Sequence, residues 1–105
     1  GYDCRSLTEK MHSNMQGALH GGYLMAFIDQ VMFACARPAL DGGPAVTLTC
    51  NTEFVGAGRF GTPVDGTGEI IRATRRTIFL RGLVTQEGET LCTWSGILRK
   101  FGRRP

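Results

Sequence analysis

The chain has 105 residues and a formal net charge of +3, with 42% hydrophobic and 20% charged residues. This length corresponds to one domain, and the composition is ordinary for a folded protein. The net charge is too small to indicate nucleic-acid binding by itself, and no repeat or low-complexity segment is present.

The basic residues are nevertheless uneven, and they form two groups: Arg72, Arg75, Arg76 and Arg81, then Arg99, Lys100, Arg103 and Arg104. Such groups suit a small polyanionic ligand, although solvated strand faces and a frayed tail would give the same pattern.

Four cysteines lie far apart, without a C-x-x-C pair or metal-ligand spacing: Cys4, Cys35, Cys50 and Cys92. We expect them to be reduced and the protein to be cytoplasmic. His12 and His20 lack a third ligand at metal-binding spacing, so neither a metal nor another cofactor is predicted. The longest apolar run is too short for a membrane span and is interrupted by Asp29.

The first half of the chain predicts a strand, a loop and a helix. Residues 2–8 are expected to be the end of a strand. Residues 9–21 are polar and contain glycines, so they are expected to form a loop. Residues 22–37 read as one helix that stops before Pro38, because the residue before a proline avoids helical geometry. This helix is apolar on all sides, which predicts that it is buried.

In the second half of the chain, apolar and polar residues alternate as they do in β-strands, over residues 45–55, 63–74, 76–86 and 89–101. Connections this short allow only an antiparallel sheet. The pattern therefore predicts an α+β fold in which one sheet wraps around one long buried helix. Open sheet edges and a helix that needs cover on its far side favour a dimer joined edge to edge.

One glycine pattern is a poor match to its usual function. Residues Gly56–Gly61 fit G-x-G-x-x-G, but a strand follows instead of the helix that dinucleotide binding requires, so a turn is predicted. The G-x-S-x-G motif of serine hydrolases is absent, and Ser95 is expected in a strand.

Asp29 and the segment His20-Gly21-Gly22 are the candidate catalytic groups. A charged aspartate in an apolar helix is costly unless paired, and such carboxylates collect at functional sites. Backbone N–H groups at a glycine-rich helix start could polarise a carbonyl. The alternatives are a core aspartate with satisfied hydrogen bonds and glycines that only shape the loop. Together the two features suggest acyl hydrolysis, in which the carboxylate activates water or attacks directly.

Gly21 and Asp29 are eight residues apart, or about 12 Å along a helix. A base, a water and a carbonyl must lie within a few ångströms of each other. An active site is therefore expected only between subunits, where antiparallel helices could place Asp29 of one near Gly21 of the other.

The segment 14–22 reads N-x-x-G-x-x-H-G-G, and Asp29 follows His20 by nine residues. This pattern resembles the hotdog-fold acyl-CoA thioesterases of the phenylacetate-degradation (PaaI) type. The resemblance extends over nearly the whole chain, through residues 72–76 to 94–96. It implies a single hotdog domain over residues 1–105 with five or six strands, lacking part of its N-terminal element.

The resemblance also implies roles for individual residues. Asp29 would be the general base or nucleophile, and Gly21 N–H would polarise the thioester carbonyl. His20 and Asn14 would position the thioester or its loop, and Thr47 would orient the water. The partners implied are acyl-CoA and further copies of this chain, in a homodimer or homotetramer with shared sites.

Substrate contacts are expected from three arginines and an apolar pocket. Arg72, Arg75 and Arg76 would bind the phosphates of CoA. The acyl pocket would be lined by Gly22, Met25, Met32, Phe33 and Phe54, which suits an aryl group or a medium to long acyl chain equally well.

Three other functions are weighed against acyl-CoA hydrolysis. A hotdog protein that binds acyl-CoA without hydrolysing it would be expected to lack the base, yet Asp29 is present. A hydratase on this fold would carry a different Asp and His spacing. A purely structural dimer would require Asp29 to be a satisfied core residue.

Overall fold

The structure, a computed structural model, describes residues 2–6 in their backbone and residues 21–59 and 61–101 in full. The elements are one helix and five strands: β1 Tyr2–Ser6, α1 Gly21–Leu40, β2 Ala45–Phe54, β3 Val64–Ala73, β4 Thr77–Gln86 and β5 Glu89–Lys100. The four later strands agree with the predicted ranges to within one residue at either end. No helix in these described ranges is both long and apolar enough to cross a membrane.

The strands form one five-stranded sheet in the order β1-β3-β4-β5-β2, and every neighbouring pair is antiparallel. Helix α1 packs across one face of this sheet. The predicted α+β architecture, an antiparallel sheet wrapped on one long helix, is confirmed. Strand β2 is an edge strand ten residues long, and its outer side has no partner strand among the described residues.

Within the single chain the helix is buried along one side, and its other side is the far side that was expected to need cover from a second copy. The core side consists of Leu24, Phe27, Ile28, Val31, Met32, Cys35 and Ala36. The opposite side exposes Gly22, Met25, Ala26, Asp29 and Gln30, which we call the open face. Most of these five residues are small or uncharged, so the hydrophobicity of the sequence alone does not show that the helix has one buried and one open side.

The end of the helix also differs from its prediction. The helix continues to Leu40 although Pro38 predicts an end before the proline. In the last turn the proline removes only one backbone hydrogen bond, so the helix tolerates it. Asp41 and Gly42 then take left-handed conformations, with φ of 51° and 71°. The Gly43 N–H donates to the Leu40 carbonyl at 2.8 Å, which closes the helix end.

Glycines on the helix-facing side of the sheet make room for large side chains. The Trp94 indole of β5, which is 3% exposed, lies across Gly82 of the adjacent strand β4 and Gly68 of β3 beyond it. A Cβ on Gly68 would come within 2.9 Å of Cys35 Sγ on the helix. These glycines therefore let the indole and the helix both lie close to the sheet.

The G-x-G-x-x-G segment lies in the connection between β2 and β3, and a strand follows it, as predicted. The buried side chain of Gln86 fixes this connection. Its Nε2 donates to the carbonyls of Arg59 and Thr62 at 2.8 and 2.9 Å, and its Oε1 accepts from the Arg59 N–H at 3.0 Å. Gln86 is thus a satisfied buried polar group that ties the connection to the β4–β5 hairpin.

We expect Gly82→Ala to lower the free energy of unfolding by about 3 kcal/mol, because a Cβ there would clash with the Thr67 carbonyl oxygen and the Trp94 ring. Backbone on one side and a buried indole on the other leave little room for relaxation. Urea denaturation would measure the change.

The matched control is Ser95→Ala, an exposed position on the adjacent strand, which should change stability by no more than about 0.5 kcal/mol. Equal urea midpoints for the two variants would contradict the packing described for Trp94.

Candidate active site

The structure joins Asp29 and Thr47, which lie 18 residues apart in sequence. Thr47 Oγ1 donates a hydrogen bond to Asp29 Oδ1 at 2.9 Å. Asp29 projects from the open face of α1, and Thr47 lies near the start of β2 on the side of the sheet that faces the helix. The bond leaves Asp29 Oδ2 and the lone pairs of the threonine hydroxyl available to a water molecule.

The start of α1 is the second part of the candidate site. Helix α1 begins at Gly21 and has no acidic residue in its first turn. The first N–H groups of a helix have no partner within the helix and carry partial positive charge. The Phe54 ring lies against Gly21, with Cζ 3.4 Å from the position of a Cβ, and Gly22 is open. Asn14 and His20, also predicted here, lie outside the described residues.

Helix α1 is continuous from Gly21 to Asp29. The separation of about 12 Å between its N-terminus and the carboxylate therefore holds within one chain. A single chain presents a carboxylate with a hydroxyl at one place and backbone donors at another, too far apart to act on the same thioester.

The predicted acyl-pocket residues divide into accessible and buried positions. Met25 is 42% exposed on the open face and Phe54 is 50% exposed beside the helix start, while Phe33 is half-buried. Met32 is fully buried and packs on Gly96 of β5. Met32 therefore lines no accessible surface of this chain, contrary to expectation, because it lies on the core side of the helix.

The three arginines that were predicted to bind phosphates do not all lie together. Arg75 and Arg76 line a cavity of about 490 Å³ at the C-terminal end of α1, whereas Arg72 is exposed on β3 and is not part of its lining. The whole lining, which we call the basic cavity, consists of Ala39, Leu40, Asp41, Gly43, Arg75, Arg76, Arg99, Lys100 and Phe101. The sequence alone placed Arg99 and Lys100 in a basic group that suits a polyanionic ligand, without joining them to Arg75 and Arg76. The pairing of strand ends brings them to Arg76, whose carbonyl accepts from the Lys100 N–H at 2.7 Å.

One of the described cysteines can be excluded as an alternative nucleophile. The three that the structure describes with side chains, Cys35, Cys50 and Cys92, are in the thiol form. Cys92 is fully buried, and burial raises the pKa of its thiol from 9.0 to about 11. Because the thiolate is the reactive form, Cys92 is unreactive at neutral pH.

Comparison with protein families identifies the chain. Residues 16–93 match the model of the thioesterase superfamily. The chain belongs to the thioesterase superfamily. A comparison with curated proteins gives no significant match.

Several solved structures resemble the chain over nearly its full length. The BH2602 protein from Bacillus halodurans with CoA is 26% identical, with a TM-score of 0.88, and the match covers 97% of this chain and 68% of that one. A mutant of the phenylacetic acid degradation protein PaaI from Thermus thermophilus is 27% identical, with a TM-score of 0.82 and coverage of 94% and 84%.

The Escherichia coli PaaI protein shares the fold at 19% identity, with a TM-score of 0.84 and coverage of 95% and 72%. These matches confirm the resemblance of this superfamily member to PaaI-type hotdog thioesterases.

The pKa of Cys92 gives a chemical test of the packing. At pH 8 a thiol with a pKa of about 11 is roughly one-thousandth ionised, so we expect iodoacetamide to alkylate Cys92 only after denaturation. Mass spectrometry of digests would quantify the label, with urea-unfolded protein as the control. Rapid labelling of Cys92 in the folded protein at pH 8 would contradict its burial.

Proposed function

We propose that this chain is an acyl-CoA thioesterase that hydrolyses aryl- or medium- to long-chain acyl-CoA to the free acid and CoA. Membership of the thioesterase superfamily supports thioester hydrolysis, and the likeness to a CoA-bound structure supports CoA as the carrier. The observation that carries the proposal is the hydrogen bond of Thr47 Oγ1 to Asp29 Oδ1 on an accessible helix face.

Asp29 and Thr47 suit the activation of water. The Thr47 hydroxyl donates to one carboxylate oxygen and can accept from a water molecule, while the other carboxylate oxygen takes the proton of that water. The resulting hydroxide attacks the thioester carbonyl carbon, the C–S bond breaks and the CoA thiolate leaves. In the alternative route, Asp29 attacks the carbonyl carbon itself, the C–S bond breaks with departure of the CoA thiolate, and water hydrolyses the resulting anhydride.

The carbonyl oxygen requires donors that the same chain cannot bring to Asp29. We assign this role to the Gly21 N–H of a second copy, aided by His20 and Asn14 in positioning. Two antiparallel helices related by a two-fold axis pair each position with a partner position on the other side of that axis. Placing Asp29 opposite Gly22, next to the Gly21 N–H of the partner helix, puts the axis between Met25 and Ala26.

The open face is self-complementary about this axis. Gly22 lies opposite the partner's Asp29, and Met25 lies opposite the partner's Ala26. The small residues Gly22 and Ala26 allow close approach. Charge is also complementary, because the carboxylate of Asp29 meets a helix N-terminus whose first turn holds no acid.

The unpaired edge of β2 runs beside the open face, since Thr47 of this strand bonds Asp29. In such a dimer the two β2 edges can continue one sheet across both subunits. The proposed assembly is this homodimer, or a homotetramer of two such dimers. Its proposed setting is the cytoplasm, where thiols such as those of Cys50 and Cys92 stay reduced.

We expect Asp29→Asn to reduce kcat/KM by about 100-fold or more and Thr47→Val by about tenfold, because the first removes the base and the second the hydroxyl that orients water. Release of free CoA, followed with a thiol reagent over a panel of aryl and fatty acyl-CoAs, would measure both effects and show the preferred acyl group.

The control for Thr47→Val is Thr49→Val, because Thr49 is exposed on the same strand and pairs with Ile97 on the outer face of the sheet. It should retain wild-type kcat/KM. Full activity of a folded Asp29→Asn protein would exclude Asp29 as the base. Acyl-CoA binding without turnover of any thioester would instead identify a non-catalytic binding protein.

The proposed dimer axis predicts that residue 25 lies beside its own copy. We expect Met25→Cys, in a background in which Cys4 and Cys50 are serine, to give a covalent dimer with a short bis-maleimide. Helices in contact are about 8–10 Å apart, which such a reagent spans.

Arg37→Cys is the matched control because Arg37 is exposed on the same helix. Its two copies would be separated by about 34 Å along the paired helices, so it should not cross-link. Non-reducing electrophoresis would separate the products. Cross-linking at residue 37 instead of residue 25 would contradict the proposed axis.

A further inference from the structure

Two contacts show how strand β2 runs beside helix α1. Thr47 Oγ1 donates to Asp29 Oδ1 at 2.9 Å, and the Phe54 ring lies against Gly21, with Cζ 3.4 Å from the position of a Cβ. Along the helix the two contacts run from Gly21 to Asp29, and along the strand they run from Phe54 back to Thr47. Helix and strand are therefore antiparallel here, and each position on this part of α1 has a position of β2 beside it.

The proposed dimer axis can be carried from the helix to the strand. A two-fold axis relates every element of one chain to its copy, so the axis that pairs the helices also pairs the β2 edges. It crosses the helix between Met25 and Ala26, slightly less than halfway from the Thr47 contact to the Phe54 contact. The same fraction of the strand between these two contacts ends at Cys50.

Strand geometry agrees with an axis at Cys50. Residues directly opposite each other in an antiparallel pair point to the same face of the sheet. An axis between Cys50 and Asn51 would place a residue that faces the helix opposite one that faces away, so the axis must pass between two copies of one residue. Cys50 faces the helix, because it pairs with Gly96, where a Cβ would meet Met32, and because it packs against the core.

The edge and the thiol are both available for such a contact. Strand β2 is ten residues long, and its outer side has no partner strand among the described residues. Cys50 is a half-buried thiol, and its Sγ lies 3.8 Å from Thr52 Oγ1, a weak contact. Opposite residues of an antiparallel pair have Cα atoms about 4.5 or 5.5 Å apart, and a disulfide spans about 4.4–6.8 Å between Cα atoms. Two Cys50 thiols at the axis are therefore within disulfide range.

We propose that two copies of the chain pair their β2 edges with Cys50 opposite its own copy, and that oxidation joins the two thiols as a disulfide between the subunits. This inference rests on the proposed function, because it uses the dimer that the shared active site requires. It adds the register of the strand pairing and a redox control of the assembly.

The oxidant is a small-molecule disulfide such as oxidised glutathione. The thiolate of Cys50 attacks one of its sulfurs, one glutathione thiolate leaves, and a mixed disulfide remains on the protein. The thiolate of the partner's Cys50 then attacks the protein sulfur of this bond and releases the second glutathione. Two protein thiols are oxidised, one small disulfide is reduced, and the two thiol protons end on glutathione. In a reducing cytoplasm the pair stays open, and it closes as the share of oxidised glutathione rises.

The disulfide would act on activity through assembly. The proposed site needs Asp29 of one chain and the Gly21 N–H of the other, so a separated chain is inactive. A disulfide at the axis prevents dissociation, and the two sites lie on either side of it. The oxidised protein should therefore keep its activity at dilutions at which the reduced dimer dissociates.

Cross-linking tests the register. Oxidised glutathione should convert the wild type to a covalent dimer on non-reducing electrophoresis, and dithiothreitol should reverse the change. Cys50→Ser, which keeps the other three cysteines, should give no covalent dimer.

The matched control is Cys50→Ser/Thr52→Cys, because Thr52 is a half-buried residue of the same strand that also faces the helix. Its two copies would lie four residues apart along the paired strands, or about 13 Å, which is beyond disulfide reach. No covalent dimer of the wild type, or a covalent dimer of the control in its place, would overturn the register.

Dilution tests the consequence for activity. Reduced wild type at one-tenth of its dimer Kd, measured by ultracentrifugation, should lose roughly sevenfold in activity per chain. Oxidised wild type should keep its activity, and Cys50→Ser treated with the oxidant should lose it as the reduced protein does. Equal losses with and without the disulfide would overturn the redox control. A covalent dimer that hydrolyses no thioester would support the register and refute the proposed function separately, whereas an active enzyme that forms no Cys50 disulfide would overturn this inference alone.

Discussion

The packing of α1 against the glycine-bearing face of the sheet is the interaction on which the rest of the structure depends. A Cβ on Gly66 would come within 2.5 Å of Val31 and 3.0 Å of Phe27, so the helix lies close to the strands. Dense contact of this kind commits one side of the helix to the core. The other side, which carries Asp29, is left for water or for a second copy of the chain.

That division of the helix also explains how an aspartate can be tolerated in an apolar segment. Asp29 keeps its solvation on the open face and gains a hydrogen bond from Thr47, so the single chain carries no buried, unpaired charge. The free-energy cost of removing water from the Asp29 carboxylate would arise only when the proposed dimer forms. There the N-terminus of the partner helix offers compensating partial positive charge.

The rigidity of the helix fixes the relative positions of Asp29 and the basic cavity. A continuous helix sets the distance from Asp29 to its own C-terminal end, where the basic cavity lies. The same rigidity prevents Gly21 and Asp29 of one chain from meeting, so a site that uses both would have to be shared between two chains.

The strands and the family could be predicted from the sequence alone, because alternation and the segment from Asn14 to Asp29 are local patterns. The sequence did not determine which side of α1 is open. Methionine, alanine and glycine are uncharged wherever they lie on the helix, so they do not mark one side as polar. Nor could the sequence place Met32 on Gly96, or gather Arg75 with Lys100. Those outcomes depend on strand order and register, which bring together residues distant in the chain, and only the tertiary structure decides them.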